Sequence, residues 1–379
     1  MINIYGVLNV LGYGIHTQNM MKAMFETSVD YNLTIIGQPQ VDPYFEIPIK
    51  EGVNKRIDFN VKNPSVFIYH DHESNCCCGS PTAVFSIFET TKPKDSSIAM
   101  LNNGPADILL VTTQAHKDML AKYVSKPIEV VHEGIDECIY NSIMVDPLIK
   151  TDKFTYITVG KRERRKNTDL IVKSFIDTMK DKDVAFIIHT CNPHMAMNTK
   201  GIDLSCWSGI NPIEEGFKYE GSEIKAHKFS NGHCDLYFTN YGVPIANMAS
   251  LYRSAHVAIA VSSGEGWDLP VTELMACGIP VIVSDVLGHS EYIKEAPGIQ
   301  DLIVKPIGFE KAEDDMYFKG DNGDWSIIKG SDVREKITQT YEQRNKYMKP
   351  CEELATYMEN NFTWKHAVKQ LTKVLSLGV

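Results

Sequence analysis

No stretch of this chain approaches the roughly 18 consecutive apolar residues that a membrane-spanning helix requires. Its first residues also lack a basic region running into an apolar one. An integral helical membrane protein and a secretory leader are therefore not expected, and the expected location is the cytoplasm. Cysteine pairs at Cys-x-x-Cys spacing are missing as well: the nine cysteines fall at irregular intervals and read as reduced thiols. Cys76, Cys77 and Cys78 follow His70 and His72, but three adjacent thiols cannot all point at one ion. Cys191, His194, Cys206, His233 and Cys234 form only a loose second group, so no metal site is expected. Positive charge is the scarcer sign, with 38 basic against 48 acidic residues and a net charge of −10. That balance disfavours a general polyanion binder, DNA included, while remaining compatible with a local positive cleft. A Lys/Arg-rich amphipathic helix that would announce membrane attachment is also missing, as is a low-complexity tail.

What is present is enough chain for two cores, since 379 residues exceed the usual ~150-residue domain more than twofold. The most informative stretch runs from Val257 to Val283. Val257-Ala258-Ile259-Ala260-Val261 is a continuous apolar run that fits a buried parallel strand. Pro270 suits a first helical turn, and Leu269, Glu273, Leu274 and Cys277 fall at helical spacing before Gly278-Ile279-Pro280 stops the helix. The unit is strand, loop, helix, strand. Ligands of open α/β sheets sit outside the carboxyl ends of strands, where free loop and helix N–H groups attract oxyanions and hydroxyls. Glu265 on the loop and Glu273 inside the helix can therefore face one crevice and accept from sugar hydroxyls.

Glu265 and Glu273, with seven residues between them inside Glu-Gly-Trp-Asp-Leu-Pro-Val-Thr-Glu and followed by Ala-Cys-Gly-Ile-Pro-Val-Ile, resemble the signature of family 4 glycosyltransferases. The resemblance implies a GT-B fold: α/β, with two Rossmann-like doubly wound parallel-sheet domains facing a cleft. It further implies that Glu265 lies by the donor sugar, that Glu273 accepts from the ribose, and that the backbone of Gly266, Trp267, Asp268 and Leu269 holds the sugar or its phosphates. Asp268 departs from the small residue common at that position, which leaves the donor sugar open.

Phe154 to Gly160 is a second buried-strand run, and it empties into Lys161-Arg162-Glu163-Arg164-Arg165-Lys166-Asn167, five of whose seven residues are basic. An amphipathic helix through Phe175 follows. A positive loop at a strand's carboxyl end suits a diphosphate, on which negative charge grows as a glycosidic bond breaks. Lys161 and Lys166 occupy the positions where the resembling family has an arginine and a lysine on the diphosphate, so a bidentate fork becomes a point charge at Lys161. A plain solvated basic loop is the competing reading, and a nucleic-acid patch another, since Arg162, Arg164 and Arg165 exceed what a diphosphate needs.

The amino-terminal part opens with a strand over Met1–Leu8, then Gly12-Tyr13-Gly14-Ile15-His16-Thr17 and a helix from Gln18 to about Phe25. As a dinucleotide fingerprint this fails, because Thr17 stands where the third glycine would be. The resemblance implies a loop at Gly12 and Gly14 that reaches toward the donor phosphates; the alternative is a pair of turn glycines. Ser65–His72 and Ala83–Glu89 read as two further strands with polar ends. Many relatives place a histidine after the second of these, where this chain has Glu89, which fits either a catalytic residue that orients or deprotonates an acceptor hydroxyl or a capping group.

The expected domains are 1–145, on the acceptor side, and 146–350, which binds the nucleotide sugar, followed by 351–379, whose helix from Trp364 to Leu377 crosses back to the first domain. A strand is expected over Val184–His189 and another over Pro280–Ser284. From His189 to about Tyr237 the pattern reads as long and irregular, a lid, acceptor platform or oligomer contact in which Trp207 and Phe217 form a small core or a sugar-stacking surface. A polar insertion is expected around Glu310 to Trp325.

The resemblance implies a retaining hexosyl transfer from a nucleoside-diphosphate sugar, a UDP-sugar foremost, to a hydroxyl of a glycan, small molecule or macromolecule. No cofactor and no metal are implied. Glu265, Glu89 and Lys166 are the candidate catalytic residues. An epimerase or phosphorylase of the same fold, a non-catalytic nucleotide-sugar scaffold subunit, and a modified nucleic-acid base as acceptor remain the alternatives.

Overall fold

Two parallel sheets, each covered by helices, make up the computed structural model, which describes residues 1–143, 145–191, 213–219, 222–239, 243–313, 318, 320–377. The first sheet contains β1 (Ile2–Val7), β2 (Tyr31–Ile36), β3 (Ser65–Ile68), β4 (Thr82–Phe85), β5 (Ile108–Val111) and β6 (Ile128–Val130), in the order β2-β1-β3-β4-β5-β6. All five of its pairings are parallel. The helices of this unit are α1 (Gly12–Glu26), α2 (Glu46–Asn54), α3 (Asp95–Asn103) and α4 (Gln114–Leu120).

The second sheet contains β7 (Phe154–Lys161), β8 (Val184–Cys191), β9 (Ile213–Tyr219), β10 (Ser222–Ser230), β11 (Cys234–Thr239), β12 (Val257–Ala260), β13 (Val281–Ser284) and β14 (Ile303–Val304). Their order is β14-β13-β12-β7-β8-β11-β10-β9. It is parallel except at its edge, where β9, β10 and β11 run antiparallel. β15 (Gly308–Lys311) and β16 (Asp324–Ile327) form a separate antiparallel hairpin. The remaining helices are α5 (Thr168–Met179), α6 (Met248–Tyr252), α7 (Leu269–Ala276), α8 (Gly330–Glu342), α9 (Glu352–Asn361) and α10 (Trp364–Leu377).

The continuous apolar runs become central strands because both faces of a helix-covered parallel sheet are buried. β4, β5, β12 and β13 accordingly carry almost no exposed side chain. α5 turns Ile171, Val172, Phe175, Ile176 and Met179 toward the β7–β8 face, while its polar residues face water. α10 lies against α1 of the first unit. Trp364 sits edge-on to His16 at 5.0 Å, Lys365 pairs with Glu137 at 2.5 Å, and Gln370 accepts from the His132 N–H at 2.9 Å.

Three local expectations need correction. α1 begins at Gly12, not Gln18, because Asn9 Oδ1 accepts from the Leu11 N–H at 2.9 Å and sets the turn. Gly14 packs so close on Asn9 that a Cβ would lie 2.3 Å from the Asn9 carbonyl oxygen, so the two glycines form the helix's first turn and not a loop before it. The segment read as irregular holds the strands β9, β10 and β11, whose main-chain pairing widens the sheet; Trp207 and Cys206 lie outside the described residues, as does the side chain of Phe217. The polar insertion is in part the β15–β16 hairpin, with Trp325 buried beneath it.

Candidate active site

The chain leaves β12 at Ala260 and turns through Ser262–Asp268 before α7 starts, and this loop lies beside the one that leaves β7 at Lys161. Asn167 joins them. It adopts a left-handed backbone (φ 54°), which lets its Nδ2 donate to the Val261 carbonyl at 2.8 Å and to Ser263 Oγ at 2.9 Å. The Ser263 N–H donates to the Arg165 carbonyl at 2.8 Å, so the two loops are locked by main-chain as well as side-chain bonds.

That lock brings opposite charges together in a nearly dry place. Glu265 is 3% exposed and Arg165 4%. Arg165 Nη1 lies 2.7 Å from Glu265 Oε2, and its Nη2 lies 2.8 Å from Glu89 Oε1 and 3.1 Å from Glu163 Oε2. Nη1 also donates to the Gly264 carbonyl at 2.9 Å. Lys166 Nζ reaches Glu265 Oε1 at 2.7 Å and Asp268 Oδ1 at 3.0 Å, while Asp268 Oδ2 faces His289 Nε2 at 3.2 Å. Lys161 stands to one side, one-third exposed, paired with Glu163 at 3.0 Å.

The ionisation of these groups follows from burial and neighbours. Burial would raise Asp268, but Lys166 and then His289 outweigh it and hold the carboxyl well below the usual range. Glu163 is likewise lowered, with burial outweighed by Arg165 and Lys161. Glu89 goes the other way: burial raises it, Arg165 pulls it down, and Glu265 and Glu163 push it up again. Burial lowers Lys166, yet Asp268 and Glu265 leave its ammonium firmer than an ordinary lysine.

The two halves of the chain meet at this loop without room for side chains. A Cβ on Gly264 would lie 2.2 Å from the Glu89 carbonyl oxygen, and one on Gly266 would lie 2.2 Å from Ile87 Cγ2. Thr112 Oγ1 donates to the Gly266 carbonyl at 2.5 Å. Buried His116, lowered to about 4 by desolvation, donates its Nε2–H to the Phe88 carbonyl at 2.8 Å and so fixes the backbone just before Glu89. The β15–β16 hairpin adds a strap from the second unit to the first. The Thr91 N–H donates to the Asp324 carbonyl at 3.1 Å, and Lys92 pairs with Asp321 at 2.7 Å.

Glu265, Lys166 and Glu89, expected from widely separated motifs, are thus gathered around Arg165. Gly266 and Asp268 belong to the same loop, and Asp268 holds a left-handed backbone (φ 76°), a conformation that favours glycine. Trp267 and Leu269 turn their side chains into the core. Trp267 packs on His132, Tyr292 and Phe362, so what these two residues offer a ligand is backbone. Glu273 Oε2 accepts from the Tyr252 hydroxyl at 2.6 Å, and burial pushes its carboxyl up to about 7 against the help of Tyr252 and Tyr140. Gly12 is exposed with open space beside it, and Gly14 meets Asn9. Tyr13 between them has its hydroxyl at the Ile87 backbone and its ring against His70 at 5.2 Å.

Sequence reasoning missed Arg165, Asn167, Glu163 and His289. By the sequence Arg165 is surplus charge together with Arg162 and Arg164, but in the structure each of these has an internal partner. Arg162 pairs with Asp169, and Arg164 reaches Glu310 and the Glu313 carbonyl and lies over the Trp325 ring. Arg165 is thus buried among carboxylates, while Arg162 and Arg164 make their ion pairs with partly exposed acids. The available signal for Arg165 was Glu163, a lone acid in a basic run that needs a cation close by.

Sheet order, helical cover and the cleft-side loops define a GT-B architecture of two Rossmann-like units. Solved structures share it along their whole length. Sucrose-phosphate synthase from Thermosynechococcus elongatus superposes with a TM-score of 0.65 at 12% identity, covering 99% of this chain and 98% of that one. A glycosyltransferase from Rickettsia africae gives 0.65 at 10% identity, with 100% and 98% covered. The Anabaena HepE protein in complex with UDP-glucose gives 0.62 at 10% identity, with 100% of both chains covered. Residues 221–371 match the family model described as Family 4 Glycosyltransferase in conflict systems, which bears out the family 4 resemblance read from the Glu265–Glu273 stretch. No curated protein sequence matches the chain.

Proposed function

We propose that the protein is a glycosyltransferase that moves a hexosyl group from a UDP-sugar to an acceptor hydroxyl with retention of configuration. The observation that carries this reading is the buried Glu265, held at 2.7 Å by both Arg165 and Lys166 on a loop at the carboxyl end of β12. A carboxylate fixed by two cations is ready to accept from sugar hydroxyls without reorganising. UDP-glucose in the structurally similar HepE supports the choice of nucleotide.

In this mechanism the bond between the anomeric carbon and the β-phosphate oxygen breaks and its electron pair stays on that oxygen. The acceptor hydroxyl bonds to the anomeric carbon from the same face, and its proton passes to the departing phosphate. Lys161 and Lys166 compensate the charge that grows on the diphosphate, Glu265 holds the sugar, and Glu89 orients the acceptor hydroxyl. The expected domains follow the same division of labour, with 1–145 on the acceptor side, 146–350 on the donor side, and the helix of 351–379 tying the two. Closure over the cleft excludes water and limits hydrolysis of the donor.

A second reading is favoured by one observation: Arg165 and Lys166 are already engaged by carboxylates, as a non-catalytic scaffold of the same fold would tolerate. A panel of UDP-, GDP- and ADP-sugars, scored by thermal shift and by released nucleotide, separates the two. Slow release by the wild type that drops at least ~100-fold in Glu265→Gln, with the thermal shift by UDP retained, is expected of the transferase. Binding without release, unchanged by Glu265→Gln, is the scaffold's outcome and overturns the first reading.

A further inference from the structure

Lys161 and Lys166 can serve a diphosphate only if the carboxylates they now hold keep another cation. Lys166 Nζ spans Glu265 Oε1 at 2.7 Å and Asp268 Oδ1 at 3.0 Å, and Lys161 Nζ holds Glu163 Oε1 at 3.0 Å. When both lysines turn away, Asp268 Oδ2 keeps His289 Nε2 at 3.2 Å. Glu265 keeps Arg165 Nη1 at 2.7 Å, Glu163 keeps Arg165 Nη2 at 3.1 Å, and Glu89 stays with the same Nη2 at 2.8 Å. One guanidinium thus remains with three carboxylates, each of which would be costly to leave without a counter-ion.

Arg165 cannot follow the lysines to a ligand. Its side chain is only 4% exposed. Each terminal nitrogen carries two hydrogens: those of Nη1 go to Glu265 Oε2 and the Gly264 carbonyl, and those of Nη2 to Glu89 Oε1 and Glu163 Oε2. Among the described residues only the buried Nε lacks an acceptor. Burial works against the charge, but Glu265, then Glu89 and Glu163, outweigh it and hold the guanidinium above the ordinary arginine value. The two carboxylates at its ends belong to opposite halves of the chain. Glu265 follows β12 in the second unit, while Glu89 follows β4 in the first and leaves 31% of its side chain exposed. A planar fork sets both the distance and the angle between them, which a point charge does not.

We propose that Arg165 is a positioning residue of the transfer: it holds Glu265 for the donor sugar and Glu89 for the acceptor hydroxyl in one fixed geometry, and so releases Lys161 and Lys166 for the diphosphate. It touches neither substrate and acts through the two carboxylates. The inference rests on the transferase reading. The ionisation of Glu89 depends on the same contact. Burial raises its carboxyl, and Arg165 is the larger of the two cations that pull it down, Lys166 being the other. Once Lys166 has turned to the diphosphate, Arg165 alone keeps Glu89 able to accept from a hydroxyl.

The test uses the full chain as wild type, Arg165→Lys, Arg165→Met and Glu89→Gln. UDP binding is measured by calorimetry, and turnover by release of nucleotide to water, across pH, from the sugar of the UDP-, GDP- and ADP-sugar panel that the wild type hydrolyses. Both Arg165 variants should bind UDP within about threefold of wild type, because Arg165 spends no hydrogen on the diphosphate. The maximal rate should fall at least ~10-fold in Arg165→Lys and at least ~100-fold in Arg165→Met. The acid limb of the wild-type rate, missing in Glu89→Gln, should move up by about 1 pH unit or more in Arg165→Met and return most of the way in Arg165→Lys. UDP affinity lowered about tenfold or more in Arg165→Lys would make the arginine a diphosphate ligand and overturn the proposal. A rate and an acid limb that neither Arg165 variant changes overturn it as well, since a purely structural pair would behave so. Should Arg165→Met not fold, Arg165→Lys decides, and a rate within about twofold of wild type overturns the proposal. A wild type that hydrolyses no sugar of the panel sinks the transferase reading and the proposal with it, whereas each of the other adverse outcomes leaves that reading intact.

Discussion

Replacing Arg165 by methionine would remove the guanidinium that three carboxylates share while keeping most of its volume. Glu265 would retain Lys166 and Glu163 would retain Lys161, but Glu89 would lose the cation at 2.8 Å that offsets its burial. Breaking a buried pair by deleting one partner costs about 3–5 kcal/mol, and here the lower end applies, because the two remaining lysines still compensate part of the charge. With roughly 2–4 °C of melting temperature per kcal/mol for a unit of 150–250 residues, the expected fall at pH 7 is about 6–12 °C. The deficit should also depend on pH with a definite sign. Glu89 is already raised above its ordinary value by burial, and removing Arg165 raises it further. A carboxyl raised on folding contributes stability at low pH that is lost as pH rises through its folded value, so the gap between variant and wild type should narrow from pH 7 toward pH 5. Arg165→Lys, which keeps the charge but cannot fork to three carboxylates and a carbonyl, should fall between the two. Melting curves of the three proteins at pH 5, 6 and 7 check this. A methionine variant within about 2 °C of wild type at pH 7, or a gap that does not change with pH, would refute the reasoning.

Other perturbations bear on neighbouring parts of the site. Glu273, pushed up to about 7 by burial, stabilises the fold below its ordinary value of 4.5 and loses that contribution as pH rises through 7; wild type should therefore melt progressively lower between pH 5 and 8, and Glu273→Gln should flatten that slope. Identical slopes in the two proteins would show that the carboxyl does not titrate there. Gly264→Ala puts a methyl 2.2 Å from the Glu89 carbonyl oxygen and against Trp325, so the halves must part: small-angle scattering should show a larger radius of gyration, and an unchanged curve would place the contact elsewhere. Glu265→Gln, predicted to lose nucleotide release while keeping the thermal shift by UDP, completes the set.

Much of this arrangement could be read along the chain, and the reason is local. The apolar run before Ser262, Pro270 at the helix start and the stop at Gly278 act within a few residues of themselves, so strand, loop and α7 follow directly from pattern and turn chemistry. The amphipathic helix after Asn167 and the α10 helix are of the same kind. Glu265, Lys166 and Asp268 were legible as candidate site residues through the motifs that resemble family 4 glycosyltransferases, and all three lie on loops that follow the carboxyl ends of β7 and β12, where such folds expose polar groups.

Pattern could not show where opposite charges from different loops would meet. Arg165 looked like one of several exposed arginines until the loop lock through Asn167 and Ser263 carried it between Glu89, Glu163 and Glu265. His289, 21 residues beyond Asp268, becomes a neighbour only because β13 returns beside β12 in the sheet. The strands of the long segment after His189 escaped notice because their pairing is made by the backbone, which leaves little mark in the sequence. By itself the sequence determined the strand, loop and helix units that carry Glu265 and Lys166, since periodicity and turn residues act over short range, and the two-sheet α/β architecture was legible only through the family resemblance that those motifs carry. Only the tertiary structure decided which cation holds which carboxylate, because buried charges are set by distances that exist solely in the folded chain.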